Sequence, residues 1–521
     1  MASSPSDTYF DAVVVGAGFS GLYMLYRLRE QGLTVQGIEA GTNVGGTWYW
    51  NRYPGARCDT ESLMYSYSFS EELEQQWQWS ARYPQQPEIL SYLNHVADRF
   101  DLRTHLKFET RMTHAYFDEH TNRWSVKTDQ GDRFTAKYCV MAAGCLSTPR
   151  RPGLKGLDSY QGKWYHTGLW PKQGVDFTGK TVGIIGTGST GIQTIPKVAE
   201  QAKHLTVFQR TANFCIPSWD GPLDPQLERE IKQHYRHHRQ FARQSDAGDI
   251  YFCNPQTTKD VTAQERETIF EQRWAEGGFN MQVAFSDLMF DPAANAHAAD
   301  FCHRKVRSRV NDPDVAELLC PKDHPFGSKR LCQDTEYFET YNRRNVTLVD
   351  VKIHPIETMT EKGLVTNGKE YVFDAIIFAT GFDAMTGAME AIDIRGRADT
   401  VLKDKWQHGP TTYLGVSVAG FPNLFMVHGP GSPSVMTNMV TAGEQHVEWI
   451  SDCIHYLEQQ QIDRIEATQE AEDHWVKHVN EVGAETLYPL ANSWYMGANI
   501  PGKTRVFMPY VGGLGVYSKL V

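Results

Sequence analysis

The sequence predicts an α/β protein with two doubly wound parallel sheets and a helical insertion. A glycine fingerprint occurs twice, at residues 16–21 and 186–191, and each copy follows an apolar run of strand length and opens a helical pattern. A long charged stretch from about 223 to 321 has the pattern of helices and interrupts the second unit. Both fingerprints are typical of Rossmann-like dinucleotide-binding domains.

The domain organisation is expected to be nested, because strand patterns late in the chain repeat those that follow the first fingerprint. A buried strand pattern that ends at Gly144 recurs at 374–383. The predicted pieces are 1–144 and 384–521 for the first unit, 145–222 (with a linker) and 329–383 for the second, and 223–328 for the insertion.

The first fingerprint follows residues 11–15, which are apolar throughout as in a parallel strand buried on both faces. Gly16 permits the tight turn, Gly18 lets the backbone approach a pyrophosphate, and Gly21 lets the next helix, from about 22 to 30, pack close to the sheet. The N-terminal amides of that helix then face the phosphates. The residues expected at this turn are Gly16, Gly18, Phe19, Ser20 and Gly21.

An acidic residue identifies the dinucleotide of the first unit. The strand pattern at 34–38 ends at Glu39, whose carboxylate can accept hydrogen bonds from both ribose hydroxyls and would repel a 2′-phosphate. FAD has no such phosphate, so the first unit is predicted to bind FAD. A helix from about 442 to 460 is expected to belong to the closing part of this unit.

The second fingerprint lacks the acidic residue and offers a basic one. The strand patterns 181–185 and 205–208 flank the turn, and Arg210 and Thr211 follow the second of them. The guanidinium of Arg210 suits a 2′-phosphate, which favours NADPH, although an arginine at a strand end can also be an ordinary solvated charge. The residues expected at this turn are Gly186, Thr187, Gly188, Ser189, Thr190 and Gly191.

Composition excludes several classes of protein. The net charge of −11, without a basic run, argues against a nucleic-acid partner, and no apolar run suggests a membrane span or a secretory signal. The nine cysteines include no Cys-x-x-Cys pair, which predicts a reducing, cytoplasmic location and excludes disulfide reductases that relay electrons through a close cysteine pair. No metal site is expected, and a monomer is compatible with the sequence.

A further pattern lies between the fingerprints, aromatic-x-Gly-x-x-x-His-x-x-x-Trp-Pro, at Tyr160, Gly162, His166, Trp170 and Pro171. In this pattern the chain resembles the type I Baeyer–Villiger monooxygenases, with Tyr160 in place of the usual Phe. Residues 45–59, 325–330 and 493–503 extend the resemblance over almost the whole chain. It implies an FAD enzyme that uses NADPH and O2 to convert ketones into esters or lactones through a flavin C4a-peroxide.

The resemblance also implies the catalytic residues. A peroxide that must stay anionic needs a fixed positive charge that cannot release a proton, and the family places this role on Arg330, with Asp59 holding its guanidinium. Lys329 would contact the 2′-phosphate together with Arg210 and Thr211. From the residues alone, 329–330 could equally be a basic surface pair, and Asp59 a turn residue that caps a helix.

The remaining expected roles come from the same resemblance. Trp494 would donate its indole N–H to the nicotinamide nucleotide, although a tryptophan at such a position is commonly a core residue. The linker pattern, His166 included, would couple domain motion to the active site rather than supply an acid or base. Further cofactor contacts are expected at Gly46, Thr47, Trp48, Arg57, Cys58, Asp59, Tyr65, Met112, Gln193 and Met439. The expected substrate pocket is Leu146, Ser434, Val435, Met436 and Thr437, with Cys145 nearby.

Two alternative functions remain open at this point. One is a flavin-dependent oxygenase of nitrogen or sulfur atoms, which uses a neutral hydroperoxide and which the pair of Arg330 and Asp59 disfavours. The other is a redox-sensing flavoprotein, which the complete set of catalytic-type residues disfavours.

Overall fold

The computed structural model describes residues 8–521. The strands are β1 (Thr8–Val15), β2 (Val35–Ile38), β3 (Leu106–Lys107), β4 (Met112–Asp118), β5 (Arg123–Thr128), β6 (Arg133–Met141), β7 (Lys163–His166), β8 (Thr181–Ile185), β9 (His204–Gln209), β10 (Cys215–Pro217), β11 (Cys332–Asp334), β12 (Val346–Asp350), β13 (Ile356–Met359), β14 (Gly363–Thr366), β15 (Lys369–Val372), β16 (Ala375–Phe378), β17 (Asp393–Arg395) and β18 (Leu424–Met426).

The α-helices are α1 (Phe19–Glu30), α2 (Thr47–Trp50), α3 (Glu71–Gln76), α4 (Gln86–Arg99), α5 (Ser189–Gln201), α6 (Pro225–Gln233), α7 (Tyr235–Gln244), α8 (Ala263–Glu276), α9 (Pro292–Arg309), α10 (Pro313–Leu319), α11 (Tyr337–Thr340), α12 (Gly387–Glu390), α13 (Leu402–Lys405), α14 (Met439–Gln459), α15 (Gln469–Ala484) and α16 (Leu514–Leu520). Among residues 8–521, no helix is both long and apolar enough to cross a membrane.

The larger sheet has the strand order β17-β4-β5-β6-β1-β2-β3, and β18 also pairs with β6. β1 is parallel to β2 and β6, and its central residues Ala12, Val13 and Val14 are fully buried, as the continuous apolar run predicts. Helix α1 packs against α14 beside this sheet. The strands β17 and β18 come from the C-terminal part of the chain, so the sheet is assembled from both ends.

Two helices of this unit begin three residues earlier than their apolar patterns predict. Gly18 is the N-cap of α1, so the fingerprint itself forms the first turn. Asn438 is the N-cap of α14, and its side chain accepts hydrogen bonds from the amides of Val440 and Thr441 at 3.0 and 3.5 Å. The predictions mark where apolar periodicity starts, whereas the caps decide where the helices begin.

The second sheet is five-stranded and parallel throughout, in the order β12-β9-β8-β16-β7. The strand β8 has the predicted bounds, and α5 follows its glycine turn. The edge strand β7 is formed by the linker pattern and pairs with β16, which places His166 beside Phe378 in register. A small antiparallel sheet, β13-β14-β15, and a parallel pair, β10-β11, complete this region.

The stretch between the two parts of the second unit contains helices α6 to α10, as predicted. Asp224 caps α6 by accepting a hydrogen bond from the amide of Gln226 at 2.9 Å, with Pro225 in the first turn, which confirms the expected capping signal. The insertion reaches the first unit through Arg239 on α7, whose Nε donates to Glu74 Oε1 at 2.8 Å. The insertion is therefore attached to the first unit by an ion pair.

Candidate active site

In the first glycine turn, neighbouring backbone atoms occupy the positions that a Cβ atom would need. Gly16 has a φ of +105°, and a Cβ there would meet Ala142 O at 2.4 Å. A Cβ on Gly21 would meet Gly16 O at 1.8 Å, so this helix can approach the strand only with glycine. No side chain caps α1. Its first amides are therefore available to an anion such as a pyrophosphate.

Glu39 lies at the end of β2 directly beside this turn. It is 5% exposed, and its Oε2 and Oε1 accept hydrogen bonds from the amides of Ala17 and Gly41 at 2.8 and 2.6 Å. Burial raises the pKa of its carboxyl group. Each oxygen retains a lone pair, so the carboxylate can still accept hydroxyl groups of a ribose.

The second glycine turn repeats the geometry of the first. Gly186 has a φ of +111°, and a Cβ there would meet Ala379 O at 2.4 Å. A Cβ on Gly191 would meet Gly186 O at 2.2 Å, and α5 again begins without a side-chain cap. The long helices α8 and α15, in contrast, are capped by the threonines that precede them. Uncapped amides therefore occur at both sites where a phosphate is expected.

Three basic side chains lie near one another beside the second turn. Arg210 is exposed and follows β9, where its guanidinium lies close enough to lower the pKa of both Arg150 and Lys329. Burial is the larger cause of both shifts, and Asp323 partly opposes the shift of Lys329. Such a cluster of like charges fits an anion. Arg150 is a residue that the sequence interpretation missed, because two neighbouring prolines make it resemble an ordinary loop arginine.

Arg330 and Asp59 meet in a two-pronged ion pair. Arg330 Nε and Nη2 donate to Asp59 Oδ2 and Oδ1 at 2.9 and 2.8 Å, and Nη1 donates to the carbonyl oxygen of Val435 at 3.0 Å. The Phe279 ring lies against the guanidinium, with its centroid 4.7 Å from Cζ. The carboxylate of Asp59 raises the pKa of Arg330 against the opposing effect of burial. The arginine is therefore held permanently charged in one orientation.

The guanidinium of Arg330 is only partly exposed and lies next to buried residues of its own segment. The Arg330 side chain is 27% exposed, whereas Ser328 and Leu331 on either side are 0% and 2% exposed. The alternative that 329–330 is a surface basic pair is thereby excluded. An arginine carries five N–H donors, of which three are used here, so one donor on each Nη remains for a ligand.

An apolar cluster lies beside this ion pair and contains Val435. Four of the five predicted substrate residues belong to it or touch it: Leu146 and Met436 pack on the cluster that contains Val435, and Ser434 contacts the thiol of Cys145. Thr437 donates its hydroxyl to Ser434 O at 2.9 Å. The cluster also includes residues that sequence reasoning did not assign, Met385, Tyr488, Tyr495, Met496, Phe507 and Met508. The lining is therefore apolar, with methionines as adaptable contacts.

Five other residues with expected cofactor roles lie in the interior or against the apolar cluster. Trp48 and Tyr65 are buried and joined by a 3.1 Å hydrogen bond from the indole Nε1 to the phenol oxygen. Met112, 2% exposed, packs in the sheet core, so only its backbone can reach a ligand. Met439 opens α14 beside the apolar cluster, and the ring of Trp494 is tilted by 55° against that of Tyr495, with the ring centroids 4.3 Å apart.

The first unit contacts the second through a loop that includes Arg57 and Cys58. The guanidinium of Arg57 pairs with Asp220, and its backbone oxygen accepts a 3.1 Å hydrogen bond from Gln193 on α5. Tyr53 also donates to Gln193, at 2.8 Å. Cys58 is buried, which raises the pKa of its thiol. The side chains of Arg57 and Gln193 thus join the two units.

The linker pattern lies within the second unit, where it forms the edge strand β7 and the turn that follows it. His166 Nδ1 accepts the amide of Gly168 at 3.1 Å, and burial lowers the pKa of its ring, so the ring is neutral and Nε2–H faces Thr380 Oγ1 at 3.3 Å. Trp170 is 5% exposed. Lys172, which sequence reasoning missed, donates to Thr42 Oγ1 at 2.7 Å and thereby ties the linker to the first unit.

The chain has well-defined relatives. It matches the family profile described as pyridine nucleotide-disulphide oxidoreductase over residues 13–296. A Baeyer–Villiger monooxygenase of Pseudooceanicola batsensis is 45% identical over 98% of this chain and 94% of that protein. This chain belongs to the Baeyer–Villiger monooxygenase family.

Two further comparisons refine this membership. The solved structure of an oxidised steroid monooxygenase bound to NADP has a TM-score of 0.94 and 52% identity, and the match covers 98% of this chain and 97% of that one. A phenazine N-monooxygenase of Lysobacter antibioticus is 42% identical over 98% of this chain and 94% of that protein. The predicted fold class and the predicted type of enzyme, a flavin- and NADP-dependent Baeyer–Villiger monooxygenase, are confirmed at the level of the family.

Proposed function

We propose that this family member contains FAD and uses NADPH and O2 to convert ketones into esters or lactones. The observation that carries the proposal is the guanidinium of Arg330, fixed by Asp59 and by Val435 O beside an apolar cluster that includes Val435. In this proposal, segments 1–144 and 384–521 hold FAD, 145–222 and 329–383 hold NADPH, and 223–328 is the helical insertion.

The residues present fit both dinucleotides. Each glycine turn excludes a Cβ at its first and last glycine and offers uncapped amides, and Glu39 supplies the ribose acceptor at the first turn. When bound, FAD accepts a hydride from NADPH and the reduced flavin activates O2. At the second turn we assign the 2′-phosphate to Arg210, Thr211 and Lys329, with Arg150 as an additional positive charge.

The task of Arg330 follows from its geometry. Its charge does not titrate near neutral pH, so it stabilises negative charge without giving up a proton. Its two unused N–H donors are available to the oxygen of a reacting ligand, and preorganised donors of this kind lower the barrier where negative charge develops. Asp59 keeps the guanidinium from rotating, and a ligand held against the apolar lining would displace water, which strengthens the charge interaction.

The lining also indicates the class of ketone. Methionine side chains are unbranched and adapt to ligands of different shape, and those in or against the apolar cluster are Met289, Met385, Met436, Met439, Met496 and Met508. We infer that the substrates are bulky, largely apolar ketones. The nine free cysteines fit a reducing compartment, and we propose a cytoplasmic enzyme.

The test uses purified FAD-loaded enzyme with NADPH, ¹⁸O₂ and a panel of cyclic, linear and aryl ketones. The expected products are esters or lactones that contain one labelled oxygen atom, identified by mass spectrometry. A tertiary amine, a thioether and a phenazine form the second arm, since a relative is a phenazine N-monooxygenase. Oxidation confined to nitrogen or sulfur would refute the ketone assignment.

A further inference from the structure

Two cysteines that are far apart in the sequence lie directly opposite each other. Cys215 on β10 and Cys332 on β11 are register partners in a parallel strand pair, and they are 3% and 1% exposed. Because they are register partners on neighbouring strands, their side chains point to the same face of the strand pair. Sequence spacing gives no sign of this proximity, because strand pairing brings together two cysteines that lie far apart in the chain.

The pair lies between the coenzyme turn and the arginine of the active site. Cys332 Sγ is 3.3 Å from the hydroxyl oxygen of Ser189, the first residue of α5, and 3.6 Å from the backbone oxygen of Arg330. The hydrogen bond between the two thiols lowers the pKa of Cys332, whereas burial raises that of Cys215. One thiol is thus the better nucleophile, and its sulfur contacts the second fingerprint.

We propose that Cys215 and Cys332 form a peroxide-responsive thiol pair that closes to a disulfide and weakens the coenzyme site. Neighbouring strands lie about 4.8 Å apart, within the roughly 4.4–6.8 Å between Cα atoms that disulfides span. Closing the bond redirects Cys332 Sγ away from Ser189, so the first turn of α5 loses a polar contact. The proposal assigns these cysteines a role beyond ketone oxidation.

The chemistry balances with hydrogen peroxide as oxidant. The sulfur of Cys332 attacks one oxygen, the O–O bond breaks, and the departing hydroxide takes a proton to leave as water. The resulting sulfenic acid is attacked by the sulfur of Cys215, which forms the S–S bond and releases a second water. Two thiols lose two electrons in total, and one peroxide becomes two waters. An oxygen-activating enzyme supplies peroxide whenever activation is not followed by product formation.

The experiment treats reduced FAD-loaded enzyme with increasing hydrogen peroxide, blocks free thiols with N-ethylmaleimide, and maps peptides by mass spectrometry. We expect a peptide cross-linked between Cys215 and Cys332 in the wild type and in Cys253→Ser, which removes an exposed cysteine as a matched control. The dissociation constant of NADP⁺, measured by calorimetry, should rise roughly threefold to tenfold, as for one lost hydrogen bond, and dithiothreitol should reverse the change.

Two variants decide the outcome. Cys215→Ser and Cys332→Ser should each abolish the cross-link. Cys332→Ser should also keep the NADP⁺ affinity constant under peroxide, because it removes the thiol that is oxidised first. An equal loss of affinity in Cys332→Ser would overturn the proposal, as would the absence of the cross-link at peroxide doses that fully oxidise Cys253. Because added peroxide and NADP⁺ binding do not depend on turnover, failure of the proposed ketone oxidation would leave this test intact.

Discussion

Replacing Arg330 with alanine removes the fixed positive charge to which we assign the stabilisation of negative charge during the reaction. Three hydrogen bonds disappear with it, two to Asp59 and one to Val435 O. Losing one preorganised charge at a developing oxyanion costs roughly 3 kcal/mol of barrier, or about a hundredfold in rate. We therefore expect Arg330→Ala to bind both dinucleotides and oxidise NADPH, yet to make ester at least about a hundredfold more slowly and to release hydrogen peroxide instead.

The same substitution has a smaller effect on folding. Removing one partner of a fully buried ion pair costs about 3–5 kcal/mol because the other charge is left unpaired. Here the side chains of Arg330 and Asp59 are 27% and 26% exposed, so water can reach the carboxylate and the expected cost is about 1–3 kcal/mol. The variant should fold, with a lower melting temperature.

A matched control separates the two effects. Arg82 pairs with Glu61 at 2.6 Å, and these side chains are 28% and 26% exposed, almost the same as in the pair of Arg330 and Asp59. Arg82→Ala should lower the melting temperature by a similar amount while ester and NADPH consumption stay matched. The assay measures NADPH absorbance, peroxide and ester in parallel, with Arg330→Lys as a third variant. Ester formation by Arg330→Ala at the wild-type rate would refute the role of Arg330.

Three further predictions concern the coenzyme, the linker and the interior. Arg210→Ala and Lys329→Ala should each raise the KM for NADPH roughly tenfold to a hundredfold without changing that for NADH, and equal use of both coenzymes by the wild type would contradict the assignment. Trp170→Ala should retain FAD, shown by flavin absorbance, but lose coupling between NADPH and product; normal coupling would exclude a role in domain motion. Burial raises the pKa of Asp249 to about 7 although Arg239 opposes this shift. The stabilisation that comes from this protonated carboxyl group is complete below about pH 4 and is lost as the pH rises to about 7. Over that range the free energy of unfolding, measured with urea, should fall by up to about 4 kcal/mol more in the wild type than in Asp249→Asn.

Local sequence signals predicted the parts of the site that depend on local backbone. The turns at Gly16 and Gly186, the strand β8 and the position of Glu39 follow from short-range requirements for φ, packing and chain direction. Pairing between distant segments carries no such signal. The strands β17 and β18, the charge of Arg150 near the second turn, and the thiol pair on β10 and β11 all depend on register between segments that no local pattern specifies.

The proposed reactive centre is therefore built by three segments that are distant in the sequence, and no single motif contains it. Asp59 belongs to a loop of the first unit, Arg330 follows the insertion, and Val435 precedes α14. A shift of any one of these segments would break a bond to the guanidinium and free it to rotate, because its orientation depends on all three. Charge alone would survive such a shift, but the direction of the two unused donors would not. Contacts that hold the units together, such as the pair of Arg57 and Asp220, consequently act on the chemistry through the orientation of one side chain.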